Sequence, residues 1–139
     1  ITVTPADHAW QNEFPEFSYR QFKQEDCCGF WLDTPDGSIW MPGDSRLLEE
    51  QLSLPQSDVI LLDFSDSAWH IGFNGAKQLT DTYRDAVVLP IHWGCVDAPE
   101  MPEFNGDPAH LRQIVQNPQR IRVLAPGEPY DLHNNPAQQ

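Results

Sequence analysis

The chain has 139 residues, 40% of them hydrophobic and 11% aromatic, enough to enclose the core of one domain or of a large half of one. Eight basic residues against 21 acidic ones leave a formal net charge of -13, which repels the phosphate backbone of nucleic acid and an anionic membrane surface alike. The acids are scattered as on a solvated surface. No stretch approaches the roughly 18 apolar residues of a membrane span, and no basic segment followed by an apolar one opens the chain.

Ile1-Thr2-Val3-Thr4 alternates as a strand does from its first residue, so the natural polypeptide is expected to begin upstream. His8 follows this strand, and the aromatic segment Trp10–Lys23 comes next, with Trp10, Phe14, Phe17 and Tyr19 open to two uses, lining a pocket or packing over the core. Cys28–Leu32 and Ile39–Met41 are β-rich runs separated by a Pro-Asp-Gly turn signal, which predicts an antiparallel hairpin. Leu47, Leu48 and Leu52 stand at helical spacing within Ser45–Leu52, and Asp44 just before them suits an N-cap as well as a ligand.

Val59–Phe64 and Ala86–Ile91 read as apolar strands with a helix, Gly75–Arg84, between them. The helix Pro108–Gln116 and the strand Ile121–Leu124 complete the pattern, after a Pro- and Gly-bearing surface loop at Ala98–Gly106. Strand and helix alternating from residue 39 onward predict parallel neighbours with helices packed on one face. Residues 133–139 are polar and terminal, a flexible tail after a body at 1–132.

Cys27, Cys28 and Cys95 make neither an even-numbered disulfide framework nor a CxxC pair, a usage that fits the reducing cytoplasm. Cys95, three residues after His92, is open to use as a soft metal ligand or as a small buried hydrophobe.

Side chains at strand exits converge in an open α/β sheet, and His8, Asp44 and His92 all follow strands. Imidazole and carboxylate are ligands that a divalent ion such as zinc accepts, yet a histidine at a strand end is also commonly just hydrogen-bonded. The ordered set Thr2-Val3-Thr4-Pro5-Ala6-Asp7-His8, Gly43-Asp44-Ser45, Trp69-His70-Ile71-Gly72 and Pro90-Ile91-His92-Trp93-Gly94 resembles the second half of the metallo-β-lactamase superfamily. Within it, the set is most similar to the branch of ascorbate-6-phosphate lactonase-like proteins and N-acyl-phosphatidylethanolamine phospholipase D. Val123-Leu124-Ala125-Pro126-Gly127-Glu128 resembles that branch's closing strand and turn.

The resemblance implies an α/β fold, half of an αββα sandwich with a mixed sheet and helices on one face. It implies that His8, Asp44 and His92 are metal ligands, Asp44 bridging two divalent ions, zinc first, with manganese or iron also suited. Such ions share a water whose pKa falls until it is a hydroxide nucleophile, and the implied reaction is hydrolysis of an ester, lactone or phosphodiester in a small-molecule substrate. His70 matches a histidine near the substrate, a catalytic role that competes with helix capping. The hallmark His-x-His-x-Asp-His, which lies in the first half of the fold, is absent, and His110 and His133 stand alone. Completion by an N-terminal half or a second chain, and hence an oligomer, is therefore expected. The alternative is a non-catalytic binding or assembly module built on the half-fold.

Overall fold

The computed structural model describes residues 1–94, 100 and 106–132; Cys95, nearly all of the 98–106 loop and the tail 133–139 lie outside them. Strands β1 (Thr2–Pro5), β2 (Cys28–Thr34), β3 (Gly37–Met41), β4 (Val59–Asp63) and β5 (Val87–Ile91) form one sheet in sequence order. The pairs β1–β2 and β2–β3 are antiparallel, while β3–β4 and β4–β5 are parallel. Two reversals leave β1 running with β3, β4 and β5, so all four end at the same edge of the sheet.

The expected hairpin joins β2 to β3 through Pro35-Asp36, with Thr34 opposite Gly37. The Thr34 hydroxyl ties the turn, donating to Gly37 O at 2.8 Å and accepting from Asp36 N–H at 3.2 Å. Helices α1 (Gly72–Thr82) and α2 (Pro108–Ile114) pack on one face of the sheet, as alternation predicts. Their Ala76, Leu79 and Leu111 share a buried cluster with Trp40, Ile60 and Leu62, the leucines and isoleucine each contributing about 1.5–3 kcal/mol. Trp40 is fully buried and donates its indole N–H to Thr4 Oγ1 at 3.2 Å, which binds β1 to the core two strands away.

Pleat alternation sends Val59, Val87 and Leu89 to the opposite face, where Leu124, Tyr130 and Leu132 pack on them. That cover is partial. Toward β1 the same face leaves Val3 and Phe30 exposed.

Two expected elements differ. Residues 45–48 are not helical, and only Glu49–Ser53 winds, as a 3₁₀ turn. The segment is instead held to the exit of β1: Asp7 N–H donates to Ser45 Oγ at 2.9 Å and Arg46 N–H to Asp7 O at 2.9 Å. Those long-range bonds tie residues 45–46 to β1, and tertiary contact overrides the leucine spacing. The expected strand Ile121–Leu124 shrinks to a single parallel bridge between Ile121 and Val88. Arg120 precedes it and is buried, donating to Thr80 O, Tyr83 O and Ala86 O at the end of α1, so the chain enters the sheet edge committed to the helix.

The aromatic segment after His8 forms 3₁₀ turns at Trp10–Glu13 and Pro15–Phe17. Trp10 meets Phe14 and Phe17 edge-on at 5.6 and 5.2 Å, so the ring cluster packs on itself and joins neither buried cluster of the sheet.

Candidate metal centre

Four strands deliver side chains to the shared edge. The chain leaves β1 through Ala6-Asp7-His8, and His8 Nδ1 donates to the carbonyl of Trp69 at 2.9 Å. A carbonyl only accepts, so the proton sits on Nδ1 and the Nε2 lone pair is free for a ligand. Asp44 leaves β3 through Met41-Pro42-Gly43. Gly29 makes room for that loop, since a Cβ there would stand 2.5 Å from Pro42 O, and Gly43 turns it at φ +78°. Asp44 caps no helix, because none begins at residue 45.

His92 follows β5 with φ +55°, a left-handed conformation that costs a non-glycine residue about 1 kcal/mol or more. The turn redirects the imidazole across the strand ends. His92 Nε2 comes to 3.2 Å from His70 Nε2 and 3.7 Å from Asp44 Oδ2.

His70 lies on the loop between β4 and α1. Its Nδ1 is held by Ser67 Oγ at 2.6 Å, and the loop is closed by Phe73 N–H donating to Asp66 Oδ1 at 3.1 Å and Gly72 N–H to Ser65 O at 3.2 Å. Capping of α1 thus falls to Asp66 and not to His70. The His70 ring sits between those of His8 and His92, with centroids 4.8 and 5.0 Å away. Burial, then the neighbouring His8 and His92, push its pKa down to about 4, against the pull of Asp44, so it is neutral and lone-pair-bearing near pH 7.

Asp63, the last residue of β4, was not singled out from sequence. It is 2% exposed, and neither carboxylate oxygen has a side-chain hydrogen-bond partner, the Ser45 backbone N–H being the donor nearby. Burial and then the charge of Asp44 push its pKa up to about 8, with the Ser45 backbone opposing only in part. The signal was available, since an acid ending the apolar run Val59-Ile60-Leu61-Leu62 falls at the edge where strand-end ligands collect. Ligand atoms of Asp44, Asp63, His70 and His92 all lie within 4.8 Å of one another.

The donor set suits a divalent ion: two imidazoles with lone pairs available beside two carboxylates, one of them buried without a side-chain donor. Among the sequence-predicted residues, Asp44, His70 and His92 come together in this group, while His8 flanks it through the His70 ring.

The sequence profile described as the beta-lactamase superfamily domain matches residues 1–93. The chain belongs to this family. A metal-dependent hydrolase of Symbiobacterium thermophilum is 29% identical over 111 residues, covering 76% of this chain and 48% of the relative. Among solved structures, a metallo hydrolase of the archaeon Ignicoccus hospitalis matches with a TM-score of 0.62 at 22% identity, over 89% of this chain and 48% of its own. An isothiocyanate hydrolase from Delia radicum gut bacteria matches with a TM-score of 0.63 at 14% identity, over 88% of this chain and 50% of its own. The metallo-β-lactamase fold expected from the motifs is thereby confirmed, and the chain spans about half the length of each of these relatives.

Proposed function

We propose that this chain is the C-terminal half of a metal-dependent hydrolase that cleaves an ester, lactone or phosphodiester in a small-molecule substrate. The observation that carries the reading is the convergence of His8, Asp44, His70 and His92 from separate strand exits, with His70 and His92 Nε2 atoms 3.2 Å apart. In this reading His8, Asp44 and His92 would hold the divalent metal, zinc foremost, with Asp44 placed to serve two ions where two are bound. The metal would supply Lewis-acid polarisation of the scissile oxygen and a water acidic enough to act as nucleophile near neutral pH.

The remaining work belongs to side chains of this half. His70, neutral and anchored through Nδ1 to Ser67, is assigned to the substrate or leaving group, where a fixed imidazole orients an oxygen and exchanges a proton. The Trp69 carbonyl accepts from His8 Nδ1–H and its ring lies under the guanidinium of Arg46, 4.0 Å away, so one loop residue both orients His8 and holds a cation by its ring face. The named relatives act as metal-dependent or isothiocyanate hydrolases, and their hydrolytic names support the class of reaction without choosing the bond.

The ligands still needed are assigned to an N-terminal half, supplied in the same polypeptide or by a second chain. The partly covered sheet face supports this assignment, because Val3 and Phe30 remain exposed beside half-buried apolar neighbours. The same face favours the second reading, a non-catalytic assembly module. The cytoplasm is the compartment we assign, on the free thiols of Cys27 and Cys28. No described helix is long and apolar enough to cross a membrane.

The test is hydrolysis of a panel of model esters, lactones and phosphodiesters by the protein completed with its N-terminal half, in zinc or manganese. Asp44→Ala and His92→Ala are expected to lose activity at least ~100-fold, since even outer-sphere partners of metal ligands are worth 10–100-fold. Variants as active as the parent overturn the hydrolase reading. Native mass spectrometry addresses assembly, a second chain or an oligomer being the expected result and a well-behaved monomer the contrary one.

A further inference from the structure

His8, Asp44 and His92 do not exhaust the donors at this edge. We propose that the 139-residue chain by itself binds one divalent cation, zinc in preference to magnesium, through Asp44, Asp63, His70 and His92. The proposal concerns metal binding alone and does not rest on the hydrolase reading. His70 is a ligand in this half-site, and turns to the substrate once an N-terminal half brings its own donors.

Asp63 carries the argument. A carboxylate 2% exposed, with no side-chain partner on either oxygen and only the Ser45 backbone nearby, is costly to hold, and such a group calls for a compensating partner. Nothing cationic among the described protein groups supplies that compensation. The charged group near Asp63 is Asp44, which makes the burial worse. A divalent cation reverses the sign, because two carboxylates and a doubly charged ion sum to zero, and a neutral assembly is what a low-dielectric strand edge tolerates.

The imidazole geometry agrees independently. Two nitrogens each about 2.0–2.1 Å from a tetrahedral zinc stand roughly 3.3 Å apart. His70 and His92 already hold their Nε2 atoms at 3.2 Å, and the Asp44 Oδ2 lies 3.7 Å from His92 Nε2. Two neutral imidazoles can also share a proton at this distance, but that arrangement leaves Asp63 without a compensating partner. A cation satisfies all the donors at once.

The four ligand atoms span up to 4.8 Å, so an ion requires a modest contraction. Asp44 is the member able to provide it, being exposed and carried on the Gly43 turn, whereas Asp63 and His70 are buried and fixed. A nitrogen-and-oxygen set of this kind favours zinc, or manganese at lower affinity, over magnesium, which retains waters and prefers oxygen ligands.

The test is titration of the metal-stripped 139-residue chain with zinc by competition against a chromophoric chelator, together with the visible spectrum of the cobalt-loaded chain. One zinc per chain is expected, with the intense cobalt absorption of a four-coordinate site. Asp63→Asn and His70→Ala are expected to weaken zinc at least ~100-fold and to change the cobalt spectrum. Asp63→Asn keeps the side-chain shape and removes a buried acid, so its metal-free melting temperature is expected to be unchanged or higher while its zinc-induced rise disappears. A merely structural Asp63 predicts the reverse, a lower metal-free melting temperature. Absence of zinc binding by a folded chain, or binding that survives Asp63→Asn, overturns the proposal. Because no substrate enters the measurement, an inactive full-length protein leaves this result standing, and failure here leaves the activity test untouched.

Discussion

His92 Nε2 stands 3.2 Å from His70 Nε2, and the contact is made by a backbone that a histidine adopts at a cost, φ +55°. Left-handed backbone crowds the Cβ of any residue but glycine. Of two variants that both lose the imidazole, His92→Gly is therefore expected to be about 1 kcal/mol more stable than His92→Ala. That order is opposite to the one in ordinary backbone, where alanine wins. Urea denaturation of the metal-free variants decides it: alanine equal to or better than glycine would mean that residue 92 is relaxed.

In the metal-stripped chain, stability depends on pH through Asp63. Its pKa rises from about 3.8 unfolded to about 8 folded, so the contribution of the protonated acid is present at low pH and lost as pH climbs through 8. His70 works the other way, its pKa falling from 6.5 to about 4, with stability present above 6.5 and lost as pH falls through 4. The two offset one another between about 4 and 6.5. Above that only Asp63 acts, and a fall of about 1.5 kcal/mol between pH 6.5 and 8 is expected. Asp63→Asn is expected to flatten this slope, measured as denaturation midpoints in chelator; an unchanged slope would assign it to another group.

The legible parts of the molecule were those written in local pattern. The β2–β3 hairpin follows from Pro35-Asp36-Gly37 between apolar runs, and the parallel order of β3, β4 and β5 from strand and helix in alternation. Residues 45–48 misled because their leucine spacing is local, while their hydrogen bonds to Asp7 span 38 residues. The motif histidines and Asp44 were visible through the resemblance, which carries their order along the chain. Asp63 was not, since a single acid after Leu62 gains meaning only when β3 and β5 bring Asp44 and His92 alongside.

Gly29 sets the position of Asp44 without touching it. A Cβ at residue 29 would lie 2.5 Å from Pro42 O and 2.6 Å from Met41 O, both backbone atoms, so Gly29→Ala displaces the loop that carries Gly43 and Asp44. The expected result is a loss of about 1–3 kcal/mol of stability, as for overpacking elsewhere, and a weakening of zinc beyond the stability effect. Zinc affinity is compared at a temperature where parent and variant are both fully folded. Retained affinity would show that the loop absorbs the methyl group without moving Asp44.

Arg120 is the polar counterpart of the core, 7% exposed, with Nη1 donating to Tyr83 O at 2.8 Å and Ala86 O at 2.9 Å and Nη2 to Thr80 O at 2.5 Å. These carbonyls close α1 and begin the return to β5, so one guanidinium satisfies acceptors that the helix end leaves open and meets the negative end of its dipole. The planar fork reaches all of them, whereas an ammonium is a single point of charge. Arg120→Met keeps the aliphatic stem and removes every donor, and is expected to cost about 3 kcal/mol, with Arg120→Lys recovering part of it. The urea midpoint is expected to fall in both variants at constant m, because the same surface is exposed on unfolding. A cost under ~1 kcal/mol for Arg120→Met would mean that water replaces the guanidinium, and that the end of α1 is held by Tyr83 and Leu111 packing alone.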